Sequence, residues 1–279
     1  MKVFVLFGFL AVFSFICASP VRKFSYQTFQ ETVIDRCNDF QKKHKQKSDD
    51  LKLKDEIDCK NLWKKYLSGI ADKKACETKN FNDLFNHVIE KNVQVIKDKA
   101  LFWSGTKDIA HQFAKNKNNI YTLEDTFSGY IADALNWGDL FEIDKLSDLN
   151  KCVFTANGLP YWKKASELFA NKAAGTVHVM LSGTSQAVNP HSIFASTEVP
   201  IIMKNKSITK VVFLLINEEK VEPKESCSNG SVKQLIIDLK NHGKSVECYD
   251  YKERNKLFTE VMTLICKFTP TAYGCPKNG

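Results

Sequence analysis

The segment from Leu101 to Trp137 holds many side chains that could act together on a small molecule. It reads LFWSGTKDIAHQFAKNKNNIYTLEDTFSGYIADALNW and combines Trp103-Ser104 with the acids Glu124, Asp125 and Asp133. Carboxylates stabilise a developing positive charge, and indole rings form an apolar wall that attracts a cation. The residue types therefore predict one cavity lined by three carboxylates and two indoles.

Regular elements should hold these side chains in place. The apolar run 100–103 is typical of a strand end, and Glu124-Asp125 lies where the short run 120–123 gives way to a helix. Asp125 has an alternative interpretation as the N-cap of that helix. Helical spacing, which would place Asp133 on the same face as Trp137, continues through Thr126, Gly129, Tyr130, Asp133 and Trp137.

The pattern of apolar residues differs between the two ends of the chain. Spacings of three and four residues make the first hundred residues mainly helical, whereas β-rich runs alternate with helical segments in the last hundred. This alternation predicts an α/β protein, with a mainly helical N-terminal half packed on a small C-terminal half that contains a parallel sheet. The active site should lie in the cleft between the halves. The predicted strands are 101–103, 176–181, 210–216 and 245–249, and the clearest predicted helices are 24–45, 232–241 and 257–266.

The N-terminus has the form of a secretory signal peptide. Met1-Lys2 precedes an apolar run at 3–16 and the small residues Cys17-Ala18-Ser19, so residues 1–18 are predicted to be removed. An uncleaved membrane anchor is the competing interpretation, although the run is short for a bilayer span. No other segment approaches the roughly 20 apolar residues of a membrane helix. The mature chain is therefore expected to be secreted, without a membrane span.

The cysteine count suits an oxidising compartment. Cys17 falls in the predicted signal peptide, and the remaining eight of nine cysteines form an even set with 105 possible pairings. Zinc ligation is the alternative use of so many cysteines, but there is no CxxC pair or cluster of histidines. We therefore predict disulfide bonds and no metal site.

Charge and short motifs exclude several classes of function. The formal net charge is +8, with scattered lysines and no zinc-finger or aromatic–basic RNA signature, so no nucleic-acid partner is predicted. A P-loop, GxGxxG, HExxH and GxSxG are all absent from the sequence. The sequons Asn205-Lys206-Ser207 and Asn229-Gly230-Ser231 predict glycosylation of both asparagines in an exported chain.

Five segments together match the pattern of one known family. They are FWS at 102–104, TLEDTFSGYIADALNW at 122–137, YWKKAS at 161–166, GTVHVML at 175–181 and SIFASTEV at 192–199. These segments resemble the ADP-ribosyl cyclase / cyclic ADP-ribose hydrolase family, the extracellular NAD glycohydrolases. The resemblance covers most of the chain after about residue 30.

The resemblance implies a secreted enzyme that cleaves the nicotinamide–ribose bond of NAD. Hydrolysis to ADP-ribose and nicotinamide should dominate, because cyclisation needs the adenine ring to reach the ribosyl cation before water does. Minor cyclic ADP-ribose and base exchange on NADP are further expected reactions, and NAD is the substrate, so no cofactor is implied. The alternative is a secreted binding or receptor-like protein that keeps the fold and has lost turnover.

The resemblance also assigns roles to individual residues. Glu198 matches the catalytic glutamate, although composition alone would make it an ordinary loop carboxylate. Asp133 has an alternative interpretation as an acid on a helix surface, and Trp63 and Trp137 are predicted to pack in the core. The substrate-binding residues implied by the match are Trp103, Ser104, Glu124, Asp125, Asp133, Trp162, Ser166 and Phe194.

The family pattern implies a disulfide framework and a division of the chain. A helical subdomain would comprise residues 19–97 and 122–174, and a parallel-sheet subdomain residues 98–121 and 175–279. Asp98 and Ala174-Gly175 stand where relatives often have a pair of cysteines, and Gly105 stands where several carry an arginine. The implied disulfide pairs are Cys37–Cys59, Cys76–Cys152, Cys227–Cys248 and Cys266–Cys275.

Overall fold

The structure, a computed structural model, describes residues 26–45, 50–70, 77–115, 120–135, 137, 158–217 and 221–251. Within these ranges, helices are followed by a small parallel sheet with further helices, which confirms the predicted α/β class. The predicted signal peptide with Cys17, the predicted helix 257–266 and four of the eight cysteines predicted to pair lie outside the described residues. Those four cysteines are Cys76, Cys152, Cys266 and Cys275.

Helices and strands lie close to the runs that the sequence indicated. Ahead of the sheet the chain forms three short turns, a 3₁₀ turn at Thr78–Phe81, a single α-turn at Asn82–Leu84 and a π turn at Phe85–Ile89. The main helices are α1 (Tyr26–His44), α2 (Cys59–Ile70), α3 (Lys107–Lys115), α4 (Phe127–Ala132), α5 (Leu159–Lys172), α6 (Val199–Lys204) and α7 (Gly230–Asn241). The strands are β1 (Ile96–Lys97), β2 (Ala100–Ser104), β3 (Ala173–Ser182), β4 (Ile208–Ile216) and β5 (Ser245–Tyr251).

All the strand pairs of the described sheet are parallel. Strand β3 pairs with β4, and β4 pairs with β5. Strands β1 and β2 both pair with β3, with Ile96 opposite Ala173 and Trp103 opposite Met180, so together they form one interrupted edge strand. A segment from the middle of the chain thus joins strands that follow it by some seventy residues or more. Its carboxyl end places Trp103 and Ser104 at the same edge of the sheet as the end of β3.

Side chains alternate between the two faces of the sheet, and each face has its own core. Val177, Val179 and Leu181 of β3 belong to the large core that also contains the buried residues of α1, α2 and α5. Met180 belongs to a smaller core on the other face, where Phe113 of α3 packs. The large core therefore fixes the helical part of the chain against the sheet.

Two disulfide bonds join described elements, and both are pairs that the family pattern implies. Cys37 of α1 is bonded to Cys59 at the start of α2, and both side chains are buried. Cys227 is bonded to Cys248 of β5 and so fixes the segment that leads into α7. Each bond restricts the unfolded chain, which typically contributes about 2–4 kcal/mol to stability.

Polar contacts join the Asp98 segment to β3, at the place where the family resemblance implies a further cysteine pair in other members. Asp98 lies between β1 and β2 with a left-handed φ of 62°, and its Oδ1 accepts a hydrogen bond of 2.7 Å from the backbone N–H of Thr176. Gly175 has φ 69°, and a Cβ atom there would lie 2.0 Å from this oxygen. Glycine is therefore needed for the Asp98 carboxylate to reach β3.

Because of His178, on strand β3, we expect the free energy of unfolding to fall at acid pH. The side chain is buried, and burial lowers the pKa of His178 from 6.5 to about 4. The unfolded chain therefore binds this proton more tightly, and stability from this group is lost as pH falls from about 6.5 towards 4. We expect His178→Leu to become more stable relative to the wild type over that window by up to about 3 kcal/mol, as measured by urea unfolding.

The exposed His191 supplies the control for that experiment. The His191→Asn variant should show the same pH dependence as the wild type, because His191 is exposed. An equal pH dependence in the wild type and His178→Leu would contradict the role of His178.

The predicted absence of further membrane segments can be compared with the described helices alone. None of these helices is both long and apolar enough to cross a bilayer.

Candidate active site

A short 3₁₀ turn, Leu123–Asp125, presents Glu124. Asp125 accepts hydrogen bonds from the backbone N–H and the hydroxyl of Thr122, at 2.8 and 2.9 Å, and so closes a capping box around the turn. Thr126, not Asp125, is the N-cap of α4, since its hydroxyl accepts from the N–H of Gly129. Asp125 is therefore not the cap of that helix, and its described hydrogen bonds support the turn that carries Glu124.

Helix α4 ends earlier than the helical spacing predicted. Its last residue is Ala132, Asp133 is the C-cap in an extended conformation, and Ala134 has φ 52°. Arg36 of α1 donates to the backbone carbonyl of Asp133 and supports this turn. The prediction that Asp133 and Trp137 share a helix face is therefore wrong. The turn nevertheless brings both residues to the same cavity.

The edge strand β2 delivers the first indole. Trp103 is half-buried at its carboxyl end, and its Nε1 donates to Oε2 of Glu124 over 3.2 Å. Gly105 follows with φ 71°, and a Cβ there would approach the Cβ of Ser182 at 3.2 Å. A side chain at position 105 would be strained in this backbone, so glycine suits this turn.

Helix α5 delivers the second indole and a buried hydroxyl. Gly158 starts the helix with φ 71°, and a Cβ there would meet the Trp137 ring at 2.2 Å. Trp162 and Ser166 are four residues apart and therefore share one face of the helix. Trp162 is half-buried, whereas Ser166 is buried.

Glu198 lies at the junction between a π turn, Phe194–Glu198, and helix α6. Ser192 organises the approach to the turn, because its hydroxyl accepts from the N–H of Ala195 at 3.1 Å. Pro200 follows in the first turn of α6. Only 6% of Glu198 is exposed, so these turns place a carboxyl group below the protein surface.

These elements enclose a cavity of about 600 Å³, a size suited to a small-molecule ligand. Asp125 is absent from its lining, and so is Trp63, which is buried in the core as predicted. Trp137 is 5% exposed and therefore buried, as predicted for a core residue. It nevertheless forms part of the cavity wall. The predicted site residues that line the cavity are Trp103, Ser104, Glu124, Asp133, Trp162, Ser166, Phe194 and Glu198.

The two glutamates of the cavity have opposite electrostatic environments. Burial raises the pKa of Glu198 to about 8, its hydrogen bond with Ser166 opposes the rise, and the charge of Glu124 adds to it. Burial also acts on Glu124, but contacts with His111, its own backbone N–H and Trp103 outweigh it and lower the pKa of Glu124. At neutral pH and without a bound cation, these shifts favour a protonated Glu198 beside an ionised Glu124. A bound cation would favour ionisation of Glu198.

Two residues near the cavity were not predicted from the sequence to belong to the site. Lys107, at the start of α3, lines the cavity with its Nζ 3.3 Å from Oδ1 of Asp133. His111, one turn later, has its Nε2 3.3 Å from Oε2 of Glu124. Their four-residue spacing on a helix that directly follows Trp103-Ser104 was the available signal. Among the described residues, no group of three or more His, Cys, Asp or Glu side chains could hold a metal ion.

Comparison with known proteins agrees with this arrangement. The sequence matches the ADP-ribosyl cyclase family from residue 26 to residue 273. The chain belongs to the ADP-ribosyl cyclase family. An ADP-ribosyl cyclase/cyclic ADP-ribose hydrolase from Aplysia californica is 29% identical over 228 residues, which are 78% of this chain and 77% of that protein. The ADP-ribosyl cyclase/cyclic ADP-ribose hydrolase 1 of Rattus norvegicus is 30% identical over 232 residues, 79% of this chain and 72% of the rat protein.

Solved structures of the ADP-ribosyl cyclase family share the fold. Aplysia cyclase in complex with the substrate NGD and the product cGDPR has a TM-score of 0.67 at 25% identity, covering 89% of this chain and 96% of that one. A CD38 structure described as a conformationally flexible covalent enzyme–substrate complex has a TM-score of 0.65 at 26% identity, covering 84% and 95%. The arrangement of helices and parallel strands is thus that of other ADP-ribosyl cyclases.

Proposed function

We propose that this protein is an NAD glycohydrolase that releases nicotinamide and ADP-ribose. The observation that carries the proposal is the burial of Glu198 in a cavity that Trp103 and Trp162 also line. Family membership and the named activities of the relatives support the same chemistry. We assign Glu198 as the catalytic residue and the other predicted residues of the cavity lining as substrate contacts.

Bond cleavage at this site needs little acid catalysis. The C–N bond between ribose and nicotinamide breaks with its electron pair going to the ring nitrogen, so the positive pyridinium leaves as neutral nicotinamide. The ribosyl group is left as a cation, which ionised Glu198 stabilises beside the two indole rings. Water then adds to the cation and releases a proton. Capture by the adenine ring of the same molecule instead gives the minor cyclic product.

Lys107 provides the positive charge that binding of a pyrophosphate requires. Of the described residues that line the cavity, it is the one with a permanently cationic side chain, and its side chain is half exposed. We propose that Lys107 interacts with the phosphates of NAD. Gly105 has no side chain and cannot make such a contact. NADP carries a further phosphate, and base exchange on it belongs to the same proposal.

Chromatographic analysis of the products made from NAD tests this function. The purified disulfide-intact protein should convert NAD mainly to ADP-ribose and nicotinamide, with cyclic ADP-ribose as a minor product. The same assay with NADP and an added pyridine base should show exchange of the base. A product mixture dominated by cyclic ADP-ribose would contradict the expected excess of hydrolysis over cyclisation. A folded protein without turnover would instead be a binding protein of the same fold.

The protonated state of Glu198 predicts the pH dependence of the reaction. The free enzyme must lose this proton before the carboxylate can act, so kcat/KM for NAD should rise with pH and level off above about 8. The limb of the kcat profile, which is the pH range in which kcat rises, should lie at lower pH, because the bound pyridinium favours the ionised form of Glu198. Steady-state kinetics between about pH 4 and 10 measure both.

The Glu124→Gln variant provides a second test of the origin of that pH dependence. The charge of Glu124 contributes to the raised pKa of Glu198, so this variant should move the kcat/KM limb to lower pH. A wild-type limb near pH 4.5, the usual range of a glutamate, would contradict the raised pKa of Glu198 in the free enzyme.

We propose that the chain is exported and that Asn229 is glycosylated, but not Asn205. The two described disulfides are compatible with an oxidising compartment. Nδ2 of Asn205 donates to the carbonyls of Ala170 and Ala173, both at 3.0 Å, and a glycan would replace one of its two hydrogens. Asn229 is exposed in the loop before α7, without a side-chain cap hydrogen bond.

Mass spectrometry of the protein secreted from a eukaryotic host tests this choice of sequon. Peptides containing Asn229 should carry a glycan, and those containing Asn205 should be unmodified. Ser207→Ala, which destroys the first sequon and keeps Asn205, should leave the attached glycan unchanged, whereas Ser231→Ala should remove it. A glycan on Asn205 of the folded, secreted protein would contradict the proposal.

A further inference from the structure

We propose that His111 is a positioning residue that holds Glu124 at the wall of the cavity. The inference extends the proposed function, because it adds a residue that is not part of the cavity lining to the machinery of the same site. It rests on contacts between three elements: β2, α3 and the 3₁₀ turn that carries Glu124.

Two side chains converge on a single oxygen of Glu124. Nε2 of His111 lies 3.3 Å from Oε2, and Nε1 of Trp103 donates to the same atom over 3.2 Å. The two rings also pack against each other, edge to face, with their centroids 6.0 Å apart. The side chains of His111 and Glu124 are only 17% and 11% exposed. The contact is therefore shielded from water, where an ion pair is stronger than at the surface.

Glu124 needs such a partner because its turn is short and its carboxylate is largely desolvated. A 3₁₀ turn of three residues fixes the backbone but leaves the long side chain several rotamers. The indole of Trp103 is a neutral donor, whereas His111 can also supply a positive charge. His111 therefore favours both the orientation and the ionised form of Glu124.

The charged groups around His111 support its protonation on balance. Contact with Glu124 raises the pKa of His111 above its ordinary value, burial and the neighbouring Lys107 oppose this, and the charge of Asp133 reinforces it. Asp125, on the same 3₁₀ turn as Glu124, also feels the charge of His111. The balance of these causes favours the charged form of His111, the positive member of the ion pair.

His111 would act on the reaction through Glu124 alone. Glu124 lines the cavity together with Glu198, and its charge is one cause of the raised pKa of Glu198. A displaced Glu124 would leave both the ligand and Glu198 with a different electrostatic environment. The effect of His111 should therefore vanish when Glu124 has no charge to hold.

A double-mutant cycle in kcat/KM for NAD tests this dependence. We expect His111→Ala to lower kcat/KM about tenfold or more, because it leaves the largely buried carboxylate of Glu124 without its charged partner. His111→Gln keeps an N–H donor and should restore much of the rate while removing one ionisation from the pH profile. In a Glu124→Gln background, His111→Ala should have little further effect. Independent, multiplying factors in the cycle would overturn the proposal.

The ionisation of Glu124, followed by carbon-13 NMR of its carboxyl group, tests the same inference without turnover. Its pKa should rise in His111→Gln, because the positive partner is lost, and an unchanged pKa would overturn the proposal. The control is His87→Ala, which removes a surface histidine 3.8 Å from Asp83 and should alter neither kinetics nor the Glu124 titration. A wild type that binds but does not cleave NAD would refute the proposed function, and the NMR result would still decide the role of His111.

Discussion

Glu198→Gln should lower kcat for NAD cleavage by about 10²–10³-fold while the protein stays folded. The amide has nearly the volume of the carboxyl group and can still accept a hydrogen bond from Ser166, but it cannot carry the negative charge that the ribosyl cation requires. Single-turnover kinetics with NAD measure the loss at the bond-breaking step. Unchanged turnover would refute the catalytic assignment.

The same substitution should make the protein more stable at alkaline pH. The folded protein holds the Glu198 proton up to about pH 8, whereas the unfolded chain releases it near 4.5, so the wild type loses stability as pH rises between these values. Glu198→Gln removes this loss, a gain on the order of 4 kcal/mol at pH 8. Glu167→Gln, a change on α5 of a more exposed carboxylate paired with Lys164, is the matched control and should affect neither rate nor stability by much.

Gly129→Ala should destabilise the protein by about 3 kcal/mol and disturb the site at the same time. A Cβ atom at Gly129 would lie 2.0 Å from the carbonyl oxygen of Leu123 and 2.6 Å from the Cα of Glu124. Both are backbone atoms, so no side-chain rotation can relieve the clash. Helix α4 or the 3₁₀ turn must move, and Glu124 moves with the turn.

Urea unfolding and the product ratio from NAD measure the two consequences of Gly129→Ala. Gly243→Ala is the control, since the space beside Gly243 is open and only its φ of 77° is unfavourable for alanine. That control should cost about 1–2 kcal/mol and leave the products unchanged. A Gly129→Ala protein as stable as the wild type would show that α4 and the turn are not in close contact.

The sequence predicted the parts of the fold that depend on periodicity and on the match with a family. Alternating β-rich and helical runs gave the parallel sheet, because buried strands and amphipathic helices have distinct patterns. The end of α4 could not be predicted in the same way. The residues after Ala132 keep a helical spacing, yet a left-handed residue at Ala134 and the hydrogen bond from Arg36 end the helix. Such contacts are distant in the sequence and leave no periodic signal.

The site also combines residues that could be predicted from sequence motifs with contacts that could not. Eight of the nine site residues predicted from the motif segments line the cavity, whereas the ninth, Asp125, supports its own turn. His111 was one of several scattered histidines until the fold placed it beside Glu124. The paired acid lies thirteen positions further along the chain, on another element. Sequence spacing alone therefore could not join them.

The contact of Asp98 with β3 also affects how the chain reaches its native state. Where the family resemblance implies a covalent link in other members, this protein has a hydrogen bond between Asp98 and Thr176, which forms and breaks freely with the strands. Reducing agents cannot sever this junction. A nascent chain with fewer cysteines also has fewer wrong partners to exchange before oxidative folding is complete. The cost is a less restricted denatured chain between residues 98 and 176, and the packing of the sheet itself must offset it.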